Sequence, residues 1–331
     1  MRFGVVTLFL FIFFVGCAQK VQMKALEPAE VDRAANTKLI AVTSFKNDTV
    51  GLSGKIESIL AKQKLDNKRF FTIMSRSDLN KIIAEQKIQN SGLMDTSTAV
   101  EVGRLMGAQA LISGDVGRVS MQDTRYYETR TRCADDKCKS TYTYNVSCVK
   151  RVVGMSAELR MVDVTKGDII YADTLAKNLE WSHCEDDSRA MPSKEMGAQQ
   201  IANNIARRFA YKLTPHYRYF NVTLLEDPDL DYNDRQEALL ENSLIYIEQG
   251  RYDKAEKLLI DLINSTGKQS YVPFYNLGVI KEAQGKYVEA QNFYGVADNL
   301  MLEPVDEINA AVLRIRDAIQ KRKITQEQMA R

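Results

Sequence analysis

The sequence predicts an α/β domain with long antiparallel hairpins, followed by an all-α module of repeated helices. Between residues 38 and 114, short apolar runs alternate with segments whose apolar residues recur at helical spacing, as in an α/β layer. Between residues 119 and 181, long polar stretches flank turn signals, which favours antiparallel hairpins. After residue 250 a short motif occurs twice at a fixed interval, which indicates stacked helical pairs.

The amino terminus predicts an exported lipoprotein. An apolar run, residues 5–15, broken only by Thr7, follows Arg2 and leads to Cys17. Because this run is too short to span a bilayer as a helix, residues 1–16 are predicted to be a signal peptide. A cysteine at this place is typical of lipoproteins, in which Cys17 carries the lipid and starts the mature chain. The alternative is an ordinary signal peptide with an incidental cysteine after it.

In lipoproteins, a residue other than aspartate after the cysteine favours the outer membrane over the inner one, and Ala18 follows Cys17. We therefore expect an outer-membrane lipoprotein that faces the periplasm. Residues 18–37 are polar and show no clear period, so residues 17–37 are predicted to be a lipidated tether. No later apolar stretch is long enough to cross a membrane as a helix. The net charge is only +2, with acids and bases interspersed, which gives no electrostatic basis for nucleic-acid binding.

The α/β domain is predicted over residues 38–226. Strands are expected at residues 38–45, 70–74, 108–114 and 217–224. Helices are expected at residues 52–60, from Ser75, from Thr98 to the stop at Gly107, and from Pro192 and Ser193 to Leu213. The hairpins are expected to pair residues 119–132 with 139–153 around a turn at 134–137, and residues 155–164 with 169–181 around a turn at 165–168.

Four cysteines follow Cys17, and an even number in an oxidising compartment favours disulfides, whereas their spacing is not that of a zinc site. The first turn places Cys133 opposite Cys138 across its hairpin. The second hairpin places residue 184 opposite residue 149, and a bulge at Gly154 would bring Cys184 to Cys148. Among the three connectivities that four cysteines allow, we expect Cys133 with Cys138 and Cys148 with Cys184.

Two groups of residues in this domain follow a family pattern. The first group lies in the α/β layer: Lys38, Leu39, Ile40, Ala41, Val42, Phe70, Phe71, Arg76, Leu79, Ile82, Glu85, Gln86, Lys87, Gly107, Ala108, Ile112, Ser113 and Gly114. The second group lies in the second hairpin: Leu159, Arg160, Val162, Val164, Thr165, Gly167, Ile169, Thr174 and Lys177. Together with Cys17, these residues resemble the CsgG family of curli production assembly/transport lipoproteins, over about residues 38–223.

The resemblance implies an α/β fold used by secretion pores, by activators of cell-wall synthases and by flagellar accessory lipoproteins. The pore form is a ring of several copies that passes two hairpins per subunit through the outer membrane, and each needs one continuously apolar side. Residues 119–132 instead carry charges on both faces: Asp123, Arg125, Glu128, Arg130 and Arg132. The sequence therefore favours an assembly or scaffold factor for a cell-envelope, secretion or surface-structure machine. The pore and the synthase activator are the alternatives.

The last third, residues 230–325, predicts tetratricopeptide-like helical repeats. Residues 250–255 and 285–290 repeat with a period of 35, and residues 306–323 are predicted to be a capping helix. The resemblance to such repeats implies a groove for a periplasmic or envelope protein. Candidate contacts are Tyr275, Asn276, Lys281, Glu282 and Tyr294; the alternative is a spacer or a contact between copies, with the tyrosines as packing residues.

No arrangement of residues predicts catalysis. His183 and His216 fall in no recognisable arrangement of a nucleophile with its base, and the carboxylates at 135, 136 and 185–187 fall in turns. No glycine-rich phosphate loop is present. We therefore expect a protein that is not an enzyme and that needs neither a cofactor nor a metal.

Overall fold

The computed structural model describes residues 19–74 and 95–330, and the chain divides into two compact units. The α/β unit comprises Pro28–His216 and Ile324–Arg331. The helical unit comprises Tyr217–Lys323 together with the described residues up to Glu27. The predicted signal peptide, Cys17 and the predicted helix that starts at Ser75 lie outside the described residues.

The described elements follow one another in this order: β1 (Lys20–Glu27), α1 (Asp32–Ala35), β2 (Leu39–Val42), α2 (Leu52–Lys62), β3 (Lys64–Leu65), β4 (Lys68–Arg69), β5 (Thr72–Ile73), α3 (Thr96–Met106), β6 (Ala110–Val116), β7 (Ser120–Cys133), β8 (Thr141–Asp163), β9 (Asp168–Cys184), α4 (Lys194–Leu213), β10 (His216–Thr223), α5 (Asp234–Glu248), α6 (Tyr252–Ser265), α7 (Val272–Ala283), α8 (Tyr287–Leu300) and α9 (Asp306–Ala330).

The α/β unit is built on a six-stranded sheet in which β2 lies between β5 and β6. Strand β2 runs parallel to both neighbours, whereas β6, β7 and β9 each pair with β8 in antiparallel orientation. Strand β8 has 23 residues and is therefore about 75 Å long at the usual rise of a strand. The predicted fold class, an α/β layer with long antiparallel hairpins followed by an all-helical module, is confirmed.

One apolar core joins this sheet to α2 and α4. Helix α4 contributes Ile201, Ile205 and Phe209, which recur every four residues and therefore share one face. Helix α2 contributes Ile56 and Leu60 to the same core. The sequence pattern predicted both of these helices.

Side-chain hydrogen bonds hold the starts of α2, α3 and α4. Asp48 accepts hydrogen bonds from the backbone amides of Leu52 and Ser53 at 2.6 and 2.9 Å, and Ser193 caps α4. The start of α3 differs from the prediction, because its cap is Asp95 rather than Thr98. The carboxylate of Asp95 reaches the amide of Thr98 at 2.9 Å, so the helix begins one turn earlier than predicted.

The two predicted hairpins share one strand. Residues predicted as separate strands on either side of Gly154 form the continuous strand β8. Gly154 allows close packing rather than a break, because a Cβ there would lie 2.6 Å from Asn178 and 2.9 Å from Ser120. The two predicted hairpins are therefore three strands of the large sheet, with β7 and β9 both paired to β8.

The first hairpin turn is longer than predicted. Cys133 pairs with Thr141, so residues 134–140 form the loop, and Cys138 lies within it at a positive φ of 51°. The Cys133–Cys138 disulfide is present, but it closes the loop instead of joining paired strand positions.

The second disulfide, Cys148–Cys184, joins residues that are direct partners across β8 and β9. The expected one-residue slip exists, but its predicted position at Gly154 is wrong. The register shifts between Met161 and Val162, next to the turn, where Ile170 is the extra residue on β9.

The helical unit contains α5 to α8, the part of α9 up to Lys323, and a two-stranded sheet of β1 and β10. The turns before α6 and α8 have the same conformation, with Gly250 and Gly285 at φ values of 71° and 73°. Their backbone hydrogen bonds match position by position, so the repeat in the sequence is also a repeat in structure.

The expectation that residues 18–37 have no regular structure is wrong for β1. Val21 and Met23 are buried between exposed polar neighbours, a period of two that the sequence already contains. The predicted strand near residues 217–224 exists as β10, but it pairs with β1 and not with the large sheet.

Within the residues described, no helix combines the length and the apolar character that crossing a membrane would require.

Candidate functional site

Helix α7 lies in the middle of the helical unit, and every residue from 272 to 282 is buried. The five side chains predicted to contact a partner are buried as well: Tyr275, Asn276, Lys281, Glu282 and Tyr294. Direct contact with a partner needs exposed atoms, so these five are internal packing residues and their assignment to a binding surface is wrong. Because the sequence of α7 is apolar on nearly all sides, it already indicated a central helix.

Helix α7 holds an extended segment of its own chain. The side-chain amide of Asn276 donates to the backbone oxygen of Leu225 at 2.8 Å and accepts from its backbone nitrogen at 3.1 Å. The hydroxyl of Tyr275 donates to the backbone oxygen of Thr223 at 2.7 Å. This face of α7 is therefore occupied by residues 223–225.

Glu282 is the centre of a buried polar network that joins α7, α8 and α9. Its carboxylate accepts two hydrogen bonds from Arg314, both at 2.9 Å, and one from the hydroxyl of Tyr294 at 2.7 Å. Burial raises the pKa of Tyr294 well above its ordinary value, so this hydroxyl keeps its proton and donates. Lys281 pairs with Glu256 at 2.6 Å. These charges are satisfied inside the unit.

Strand β1 is attached to the helical unit at both of its ends. The side-chain amide of Gln19 donates to Glu248 at 3.3 Å. At the other end, Glu27 accepts a hydrogen bond from Arg218 at 2.8 Å and pairs with Lys321 at 2.8 Å. Partial burial raises the pKa of Glu27, but hydrogen bonds and charges of the two cations outweigh burial and hold the pKa below its ordinary value.

In the α/β unit, the β7–β8 hairpin extends beyond β9. Strand β9 ends at Cys184, opposite Cys148, so residues 141–147 of β8 pair with β7 alone. We call residues 125–147 the ribbon. Most of its residues are exposed, and 75% of Tyr127 is accessible to solvent.

The two faces of the ribbon differ in chemistry. One face pairs Arg130 with Tyr144 and Arg132 with Tyr142. The guanidinium of Arg132 lies 5.4 Å from the centre of the Tyr144 ring, within the range of a cation–π contact. The other face carries Arg125 and Tyr127 beside uncharged polar residues: Thr129, Thr131, Thr141, Thr143 and Asn145.

The ribbon is braced at its root and at its tip. At the root, Cys148–Cys184 ties β9 to β8, and Val146 is buried beside this disulfide. At the tip, Cys133–Cys138 closes the loop. The ribbon therefore presents a defined surface although few of its side chains are buried.

An ion pair adds to the bracing at the root. Arg151 donates two hydrogen bonds to Asp123 at 2.8 and 2.6 Å, and a third to the backbone oxygen of Pro192 at 3.0 Å. The hydrogen bonds from Arg151 hold the pKa of Asp123 below its ordinary value. This pair connects β7, β8 and the start of α4.

The described residues contain one group with metal-like spacing, Glu128, Cys148 and Cys184. Its two sulfurs form a disulfide, so they offer no thiolate, and the group does not fit a metal. Each histidine has a local contact: His216 lies 3.0 Å from the backbone oxygen of Thr214, and His183 lies 3.9 Å from Asp187.

An open cleft of about 960 Å³ lies beside the start of α4. Its lining includes Asp115, Arg118, Glu158, Lys194 and Glu195, and no histidine or cysteine. Charges of both signs around an open cleft provide neither a nucleophile with its base nor a metal ligand set.

A comparison with protein-family models identifies the family of the domain that carries the ribbon. Residues 22–186 match the family model described as "Curli production assembly/transport component CsgG". No curated protein matches the chain. The matched range includes the large sheet, the ribbon and all four disulfide cysteines. Residues 22–186 of this chain are therefore a CsgG-family domain.

Proposed function

We propose that the protein is an assembly or scaffold factor of a cell-envelope machine, anchored in the outer membrane by lipid on Cys17 and facing the periplasm. In this role it binds another protein through the ribbon and catalyses no reaction. The observation that carries the proposal is an exposed, disulfide-braced ribbon within a domain whose family is described as an assembly/transport component.

The composition of the ribbon supports protein binding. Tyrosine and arginine are the residues that most often dominate binding energy at protein interfaces. The ribbon has four tyrosines and three arginines: Tyr126, Tyr127, Tyr142, Tyr144, Arg125, Arg130 and Arg132. Because the two disulfides hold the strands in place, the ribbon would lose little conformational entropy when a partner binds.

The helical unit is proposed as a second binding region of tetratricopeptide type. Since its five predicted contact residues are buried, a partner would have to use exposed side chains. Exposed apolar residues occur on four of its helices: Ile245, Ile260, Val288, Val296 and Leu313. Substitutions such as Val288→Glu test this better than deletion of residues 230–331, because the deletion also removes Ile324–Arg331 from the α/β unit.

A photocrosslinking experiment tests the ribbon as the binding element. A photoreactive phenylalanine analogue replaces Tyr127 in the full chain, which is expressed in its native host and exported to the periplasm. The matched control replaces Tyr219, a strand tyrosine of the helical unit that is 60% exposed. We expect the Tyr127 site to capture a specific envelope protein and the Tyr219 site to capture none of it.

The identity of the captured protein separates the alternatives. A cell-wall synthase would indicate an activator. A second copy of this chain, found in membrane-embedded rings, would indicate a secretion pore. Equal capture from both positions, or from neither, would contradict the ribbon as the binding element.

A further inference from the structure

The anchoring cysteine and the helical unit are very close in the chain. Strand β1 begins at Lys20, three residues after Cys17, and is part of the helical unit. A tether of twenty residues, as the sequence suggested, would let the protein move far from the lipid. The two successive Cα–Cα distances from Cys17 to Gln19 together span at most about 7 Å.

Gln19 is attached to the body of the helical unit. Its backbone nitrogen donates to the carboxylate of Glu226, and its backbone oxygen accepts from the amide of Leu224 at 2.9 Å. Its side chain donates to Glu248. The chain next to the lipid is therefore already part of the folded unit.

We propose that β1 holds the helical unit directly at the lipid surface, with the end around Gln19, Glu226 and Glu248 nearest to the membrane. This inference rests on the proposed lipid at Cys17. The lipid must do the holding, because Glu226 and Glu248 contact Gln19 and offset the charge of the neighbouring Lys20, so this end carries no excess positive charge for anionic headgroups.

The opposite end of β1 lies farther from the lipid. Glu27 is seven residues beyond Lys20, which corresponds to about 24 Å of strand. Glu27 pairs with Lys321, and the neighbouring Arg322 donates to the backbone oxygen of Gly285 at 2.6 Å. The turn at Gly285 is therefore tied to the end of β1 that lies farther from the lipid.

The two structural repeats supply a matched pair of label positions. Gln249 follows Glu248 at the near end, and Gln284 precedes Gly285 at the far end. Both are exposed and occupy the same position at the end of a helix. The four native cysteines of the folded body are in disulfides, so Gln249→Cys and Gln284→Cys each give one reactive thiol on it.

The experiment places each labelled, lipidated full-length variant in phosphatidylcholine vesicles that carry a quencher on the headgroup. We expect several-fold stronger quenching of a fluorophore at position 249 than at position 284. A flexible glycine-serine insertion of ten residues between Ala18 and Gln19 should remove most of this difference, since it adds about 18 Å of average reach.

Equal quenching at the two positions, stronger quenching at position 284, or no effect of the insertion would overturn the inference. Failure of the proposed lipid anchor gives a different result. In that case mass spectrometry would find no lipid on Cys17, and the protein would not associate with the vesicles at all.

Discussion

Glu282 shows how a buried charge can define the packing of the helical unit. Only 4% of its side chain is exposed, and its carboxylate is shared by Arg314 and Tyr294. Removing one partner of such a pair leaves a charge that is buried without compensation, which costs more than the pair contributes as a whole.

We therefore predict that Arg314→Met destabilises the helical unit by about 3–5 kcal/mol. The double substitution with Glu282→Gln should cost less than Arg314→Met alone, because no buried charge remains and the glutamine can still accept from Tyr294. Urea unfolding followed by circular dichroism measures both. Asp317→Ala, which removes an exposed pair with Lys321 on the same helix, is the control and should cost at most about 1 kcal/mol. A double variant less stable than Arg314→Met would contradict the network.

The packing of α7 against α8 depends on Gly278. A Cβ at this position would lie 2.5 Å from the ring of Tyr294. We predict that Gly278→Ala loses about 1–2 kcal/mol of unfolding free energy, after the gain in helix propensity is included. Gly295→Ala is the matched control in α8, where a Cβ meets nothing within 4 Å, and it should gain about 0.5–1 kcal/mol. If both alanines had the same effect, α7 and α8 would be packed less closely than the structure shows.

At the scale of elements, the ribbon and its disulfides combine local and distant constraints. Cys133 and Cys138 are 5 residues apart, whereas Cys148 and Cys184 are 36 apart. A disulfide that closes a longer loop removes more entropy from the unfolded chain. The two bonds therefore contribute unequally to stability.

We predict that replacing both Cys148 and Cys184 by alanine costs about 4 kcal/mol, whereas replacing both Cys133 and Cys138 costs about 2 kcal/mol. Guanidinium unfolding of each variant measures these losses. Peptide mapping without reduction first verifies the remaining bond. The order would be contradicted if loss of the tip disulfide were the more damaging change.

Strand positions were predictable where turn signals bounded a long stretch. The turn signals beside β7 and β9 gave nearly correct strand limits, and Gly107 ends α3 as its sequence indicates. The continuity of β8 through Gly154 was not predictable, because it depends on Ser120 and Asn178, which lie far away in the sequence. The bulge near Met161 likewise depends on the local geometry of the turn.

The candidate site was predictable only in part for the same reason. Exposure of the ribbon follows from where β9 ends, a long-range fact that the hairpin pattern does not contain. The buried state of Asn276 follows from the return of residues 223–225 to α7. A residue type that can bind a partner can equally bind an internal segment of the same chain. Only the folded structure shows which of the two it contacts.

At the scale of the whole molecule, chain order and spatial grouping differ. The strand next to the predicted lipid site belongs with helices that are about two hundred residues later in the sequence. Family patterns identify the domain between these parts, since they record local residues of the sheet. They give no information about which unit the amino-terminal strand joins.

The central claim, a periplasmic body anchored only by lipid on Cys17, is tested most directly by fractionation of cells that express Cys17→Ser. The wild-type protein should be in the outer-membrane fraction and should be extracted by detergent. The variant should be in the soluble periplasm with both disulfides formed and with the unfolding midpoint of the detergent-extracted wild type, since lipid on Cys17 is the only anchor in this proposal. A variant that stayed in the outer membrane would contradict the account.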